Sequence, residues 1–138
     1  LHNLNNILNS KLNIWIEPGR YLVSEAGILV SKVNLVRQKG NIKFIGLSTG
    51  MNSLIRPTLY NAYHHIWNIS NLDTSTVEYY TIVGPICESG DILGKNRLLP
   101  KTITNDIILI ENAGAYGYVM SSNYNMRKPA SEICLLSK

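Results

Sequence analysis

The run Val77-Glu78-Tyr79-Tyr80-Thr81-Ile82-Val83, continued by Gly84-Pro85-Ile86-Cys87-Glu88-Ser89-Gly90-Asp91, decides how this chain is read. Its first half is rich in β-branched and aromatic residues and stops at a Gly-Pro pair, the pattern of a strand closed by a turn. Its second half crowds a thiol, two carboxylates and a hydroxyl onto one Gly/Pro-bounded loop. Packing seldom demands that chemical density, so the loop reads as part of a site.

Working outward, strand-like runs recur at Ile28 to Val36, Ile42 to Leu47, Ile66 to Ile69, Ile107 to Ile110 and Ile133 to Leu136, separated by clusters of Gly, Asn, Asp and Ser. Several short strands with turn signals between them predict a mainly β fold, a compact sheet or barrel. The start of the chain differs. Leu1, Leu4, Leu8 and Leu12 recur at helical spacing, Ile14-Trp15-Ile16 reads as a short strand, and Glu17-Pro18-Gly19 ends it. Helix, strand and Gly turn make an α/β rhythm. A boundary is therefore expected near Gly27, with residues 1–26 as the end of an α/β unit and residues 27–138 as a β-domain. Two helical interruptions are expected within the latter: one where Leu54, Thr58 and Ala62 share a face with Pro57 early in the segment, and a shorter, Gly-broken one from Ala113 to Met120.

With 138 residues, 45% of them hydrophobic, the chain can build one core and no second complete domain. Its formal charge is +4, but Lys and Arg are scattered from Lys11 to Lys138 without a basic block, which argues against a nucleic-acid partner. Asn and Ile exceed ordinary usage, as AT-biased coding would produce. Cys87 and Cys134 match no metal or redox spacing, and a reducing cytoplasm is the expectation. No apolar run approaches the ~18 residues of a membrane-spanning helix. His64 and His65 are adjacent and would point to opposite faces of a strand; with no third ligand at a supportive spacing, no metal site is expected.

Four motifs carry chemistry. In Glu17-Pro18-Gly19-Arg20 the glycine allows backbone N–H groups to approach a phosphate and the arginine adds a charge-assisted contact, although alone this is a turn carrying an Arg. Arg56 and Tyr60 stand four apart, on one face if the segment is helical; guanidinium and phenol together suit carboxylate recognition, or else a surface Arg covers a half-buried Tyr. Cys87 and Glu88 are a reactive pair or a small hydrophobe beside a surface charge. Gly114-Ala115-Tyr116-Gly117 leaves a phenol sterically unguarded, as a site residue or as a plain turn tyrosine. Asp91 reads as a loop brace rather than a catalyst.

Taken in order, Glu-Pro-Gly-Arg, Gly50-Met51-Asn52-Ser53-Leu54-Ile55-Arg56-Pro57-Thr58-Leu59-Tyr60, Cys-Glu-Ser-Gly-Asp and Gly-Ala-Tyr-Gly closely resemble the C-terminal part of the diaminopimelate decarboxylases, alanine-racemase-like (fold-type III) enzymes dependent on pyridoxal 5'-phosphate. The resemblance spans roughly Ile14 to Ile133. It implies the last helix and strand of a truncated (β/α)8 barrel over residues 1–26, followed by the C-terminal β-domain. It implies a lyase of lysine biosynthesis, a carboxy-lyase that converts meso-diaminopimelate to L-lysine and carbon dioxide as a cytoplasmic homodimer with shared sites. By the same resemblance Glu17, Gly19, Arg20 and Tyr116 bind the cofactor, Arg20, Arg56, Tyr60, Glu88 and Tyr116 bind substrate, and Cys87 is the catalytic proton donor. The cofactor lysine belongs to the barrel, and no Lys here sits in its motif. Ser48 and Ser53 stand where many members carry acidic residues, as in the branch fused to an aspartate kinase. Ornithine-type relatives carry Asp after the Cys; that ornithine/arginine type of decarboxylase or racemase, and a stand-alone non-catalytic β-domain, are the alternative readings.

Overall fold

Alternating burial begins at Leu29. In strand β1 (Leu29–Lys39) Leu29, Ser31 and Val33 point inward while their neighbours face out, the period-two pattern of a half-buried strand. A Gly40-Asn41 turn, with Gly40 at φ +59°, returns the chain into β2 (Ile42–Leu47) as an antiparallel hairpin that sets Val36 opposite Ile45. Ahead of this hairpin lie a one-turn helix α1 (Arg20–Val23) and a 3-10 turn (Ser24–Ala26); after it come helix α2 (Arg56–Tyr60) and strands β3 (Ile66–Asn68), β4 (Glu78–Val83), β5 (Ile92–Leu99) and β6 (Ile107–Ile110). Two further 3-10 turns, Tyr118–Met120 and Tyr124–Met126, follow. The structure is a computed structural model and describes residues 3, 6, 7 and 13–135.

The six strands form one sheet in the order β3-β6-β1-β2-β4-β5. Every neighbouring pair is antiparallel except β2 and β4, which run parallel with Ile45 opposite Ile82. The sheet curls until its ends approach: the Ile66 side chain of β3 packs against Gly94 of β5, its Cδ1 2.8 Å from where a Cβ would stand. The result is a nearly closed barrel filled by Val33, Ile45, Ile82, Leu93, Ile108 and Ile110, each with no exposed surface, and by Leu47, Leu54 and Tyr80. Burying an aliphatic side chain of this size contributes about 1.5–3 kcal/mol.

The expected runs at Ile42–Leu47 and Ile107–Ile110 are strands with those bounds, and β1, β3 and β4 fall within a few residues of expectation. Two expectations require correction. Ile14-Trp15-Ile16 is not a strand: its residues are 57%, 92% and 76% exposed, and none of the described strands pairs with it. An apolar triplet has no strand structure without a ladder partner. Ile133 likewise lies in irregular chain, 82% exposed, while Leu136 is outside the described residues. Strand β5 has no counterpart in the sequence reading, because Gly94-Lys95-Asn96-Arg97 looks like a turn; the strand absorbs Asn96 at φ +50° through register shifts against β4. The amphipathic helix expected over residues 1–12 lies, apart from residues 3, 6 and 7, outside the described residues.

One buried carboxylate joins the two loops that matter most. Asp91, 3% exposed, accepts the Met51 N–H at Oδ1 and the Ile86 N–H at Oδ2, both at 2.7 Å. Its oxygens lie over Gly50 and Gly84, where an added Cβ would come within 2.4 and 2.3 Å of them. Only glycine fits at either position. Burial pushes the Asp91 carboxyl upward, against the downward pull of the two amides. Replacing Asp91 by Asn turns one acceptor into a donor facing a buried N–H. Asp91→Asn is expected to cost about 1–3 kcal/mol in equilibrium urea unfolding.

Candidate functional site

Helix α2 is a single turn with Pro57 in its first positions, and it stops at Asn61 in the left-handed region (φ 51°). That turn places Arg56 and Tyr60 on one face, as their spacing predicts: the Arg56 Cζ lies 5.4 Å from the Tyr60 ring centroid. It also lies 6.0 Å from the Tyr116 ring. Tyr116 adopts φ 59°, a rare conformation for an aromatic residue and one that clusters at functional sites.

Backbone crossing brings the Glu-Pro-Gly-Arg segment to this face. Ala113 N–H donates to Gly27 O at 2.8 Å and Gly114 N–H to Ser24 O at 3.0 Å. A side chain at Gly114 would meet Val23 O at 2.1 Å, so the crossing requires glycine. Gly19 then lies against the Tyr116 hydroxyl, 2.5 Å from its own missing Cβ, and carries Arg20 to the same side. Gly19, Arg20, Arg56, Tyr60 and Tyr116 thus form one group, although they come from three separated motifs. Glu17 is exposed and forms no ion pair among the described residues.

The group is cationic and unsatisfied. The Nε atoms of Arg20 and Arg56 are buried without a hydrogen-bond partner, as are Arg97 Nε and His64 Nε2. His64 has no exposed surface, and its Nδ1 donates to Glu111 O at 2.8 Å. A carbonyl only accepts, so the proton sits on Nδ1 and Nε2 is a bare acceptor. Burial, followed by the charges of Arg20, Arg56 and Arg97, holds His64 below its ordinary value against the pull of the carbonyl. Buried nitrogens without partners are costly, and several arginines without a carboxylate make a receptor for an anion. His65 faces the other way, its ring 4.3 Å from Trp67, and no group of three or more His, Cys, Asp or Glu among the described residues is placed to hold a metal.

Cys87 and Glu88 form a second group. Cys87 is exposed and free, and its N–H donates to Asn125 Oδ1 at 2.6 Å. The Gly90 N–H and the Ser89 hydroxyl, each 3.1 Å from Glu88 Oε1, hold that carboxyl below the usual carboxylate range. Glu88 thus carries negative charge with no cation bound to it among the described residues. Thr58 Oγ1 donates to Gly90 O at 2.7 Å, fastening α2 to this loop and setting the two groups side by side. Thr58, His64, Arg97, Tyr124 and Asn125 were not singled out from sequence as binding residues. Only the Asn-rich stretch around Tyr124 carries a signal, since Asn favours the left-handed backbone that Asn125 adopts. An open cleft of about 690 Å³, lined by residues such as Val23, Ala113, Tyr118 and Ile133, holds none of the charged site residues named above.

The barrel-like sheet agrees with comparison to known proteins. Residues 20–114 match the family described as pyridoxal-dependent decarboxylase, C-terminal sheet domain, and the chain belongs to that family. More particularly, it is similar to diaminopimelate decarboxylases. It is 45% identical over 126 residues to the one from Archaeoglobus fulgidus, covering 91% of this chain and 30% of that protein. The crystal structure of diaminopimelate decarboxylase from M. jannaschii in complex with L-lysine matches at 38% identity and TM-score 0.79, covering 91% of this chain and 30% of that one. The Helicobacter pylori enzyme complexed with L-lysine matches at 40% identity and TM-score 0.76, covering 91% of this chain and 31% of that one. The chain therefore spans about a third of the length of these relatives.

A pH dependence follows from His64. Its native value is depressed below the ordinary value of about 6.5, so the unfolded state binds more protons in mild acid and stability rises with pH there. The contribution is present above about pH 6.5 and is lost as pH falls. Thermal midpoints should decline from pH 7.5 towards pH 5.5 by this mechanism, and the decline over that range should flatten in His64→Asn, which keeps a donor for Glu111 O.

Proposed function

We propose that the chain is the C-terminal part of a diaminopimelate decarboxylase, in which residues 1–26 end a barrel domain and residues 27–138 form the β-domain that completes the site. The observation that carries this reading is that the fold gathers Arg20, Arg56, Tyr60 and Tyr116 on one face with arginine nitrogens left unsatisfied, while it presents Cys87 and an ionised Glu88 on a separate exposed loop. Diaminopimelate has a carboxylate and an ammonium at each end, so its pocket must supply both signs of charge. Arg20 and Arg56 offer the positive charge, and Glu88 the negative.

The half-buried Arg20 and Arg56, whose Nε atoms find no partner, and the Tyr116 hydroxyl against Gly19 fit an anionic cofactor, pyridoxal 5'-phosphate. Gly19, Arg20 and Tyr116, with Glu17 nearby, would hold it. When bound, the cofactor supplies the electron sink that makes loss of a carboxylate feasible. Arg56, supported by Tyr60, binds a substrate carboxylate; Glu88, kept ionised by the Gly90 N–H, receives the distal ammonium. The Cys87 thiol donates its proton to the carbon from which carbon dioxide departs, and L-lysine is the product.

In this reading the exposed Cys87–Glu88 loop acts in the site of a second copy, so the enzyme is a homodimer with shared sites. Two free, exposed cysteines support a reducing, cytoplasmic setting. The lysine complexes of the two relatives support the assignment of substrate and product.

Residues 1–138 expressed alone are expected to bind the cofactor poorly and to release no carbon dioxide from diaminopimelate; robust release would overturn this division of parts. In the full-length enzyme, Glu88→Gln should lose about 1.5–3 kcal/mol of transition-state binding for meso-diaminopimelate, since an amide is no charged acceptor. Unchanged kinetics would favour the ornithine-type reading. Cys87→Ala should lower turnover far more than substrate affinity. Mixing it with a variant lacking the cofactor lysine should restore activity in verified heterodimers, because one intact site is then assembled from two defective chains.

A further inference from the structure

The segment from Ser121 to Ala130 runs beside the Cys87 loop, and its backbone is held in an unusual shape. Asn125 and Met126 both adopt positive φ, 57° and 60°, which for a Met is a strained conformation. Met126 gains nothing by burial, since it is 94% exposed. What the shape achieves is the direction of the two preceding side chains. Asn125 Oδ1 accepts the Cys87 N–H at 2.6 Å, and the Tyr124 hydroxyl reaches Glu88 Oε2 at 3.5 Å.

The segment is also fastened at both ends to the loop that Asp91 clamps. Ser122 N–H donates to Asn52 O at 2.9 Å, and Asn52 Nδ2 donates to Arg127 O and Lys128 O at 3.4 and 3.2 Å. Ala130 N–H donates to Ser53 Oγ at 2.9 Å. Asn52 is 2% exposed, so its end of these bonds is shielded from water. Met51, the residue before it, is bound to Asp91, which closes the Cys87 loop. Three segments far apart in sequence therefore make a closed ring of hydrogen bonds around the thiol and the carboxylate.

We propose that Asn125 and Tyr124 are positioning residues, Asn125 fixing the backbone at Cys87 and Tyr124 orienting the Glu88 carboxylate. The proposal rests on the roles given above to Cys87 and Glu88, and its test separates the two. Loop order is read by hydrogen exchange of a peptide spanning residues 84–91 in the full-length protein, a measurement independent of catalysis. Asn125→Ala removes the acceptor and should speed that exchange at least fivefold, while lowering kcat about tenfold and changing KM less than twofold. Asn125→Asp keeps an acceptor for the Cys87 N–H and should restore protection. Tyr124→Phe should raise KM for diaminopimelate with little loss of kcat.

Unaltered exchange in Asn125→Ala would overturn the positioning role. Faster exchange with unchanged turnover would uphold the contact and overturn instead the assignment of Cys87 as proton donor. Should Asn125→Ala fail to fold, Asn125→Ser decides: its shorter side chain does not reach the Cys87 N–H, so unaltered exchange over residues 84–91 in that variant overturns the positioning role.

Discussion

Everything near the site depends on the Asp91 carboxylate, whose two oxygens each hold a backbone N–H from a different loop. A carboxylate removed from water and left without a cation is expensive; here the two charge-assisted amide bonds offset part of that cost. The arrangement demands that the backbone approach very closely, which is why glycine stands at both 50 and 84. Through this one side chain, the loop that leads into α2 and the loop that bears Cys87 take a fixed spacing. Thr58 adds a second fastening between the same two regions.

Around that frame the polar groups are sorted by sign. Arginines 20, 56 and 97 lie on one side with buried nitrogens that find no acceptor. Glu88 lies on the other, ionised and free of any cation among the described residues. A protein built for stability alone would let these charges neutralise one another. Keeping them apart leaves each free for a ligand group of opposite sign, and the depressed His64 avoids adding one more positive charge beneath the arginines.

Much of this was legible in the sequence, for physical reasons that differ from element to element. Strand β6 could be bounded by reading because its uninterrupted Ile and Leu run lies between Asp106 and Glu111, and β2 because its apolar residues begin right after Gly40-Asn41 and end at Ser48. The Arg56–Tyr60 face could be read because one helical turn imposes it. Strand β5 could not, since its Gly-Lys-Asn centre has the composition of a turn and is made a strand only by its neighbour β4. Ile14-Trp15-Ile16 failed in the opposite sense, having the composition of a strand and no described partner. The asparagines were read as a coding bias, yet five of them, at 61, 96, 105, 112 and 125, occupy left-handed backbone positions, where Asn is among the few tolerated side chains. The ring through Asn52 and Asn125 joins residues more than seventy apart, a separation that no local pattern reveals.

The parallel pairing of β2 with β4 bears on how the molecule comes to be folded. The β1–β2 hairpin closes over two residues and can form early and locally, whereas β4 must wait for the whole crossover that follows β2, including α2 and β3, to be laid down. The segment that presents Arg56 and Tyr60 therefore lies inside this crossover, and also inside the longer loop that closes when β6 pairs with β1. Barrel closure and the placing of the arginine–tyrosine face thus draw on the same long-range pairings, and the local hairpin alone supplies neither.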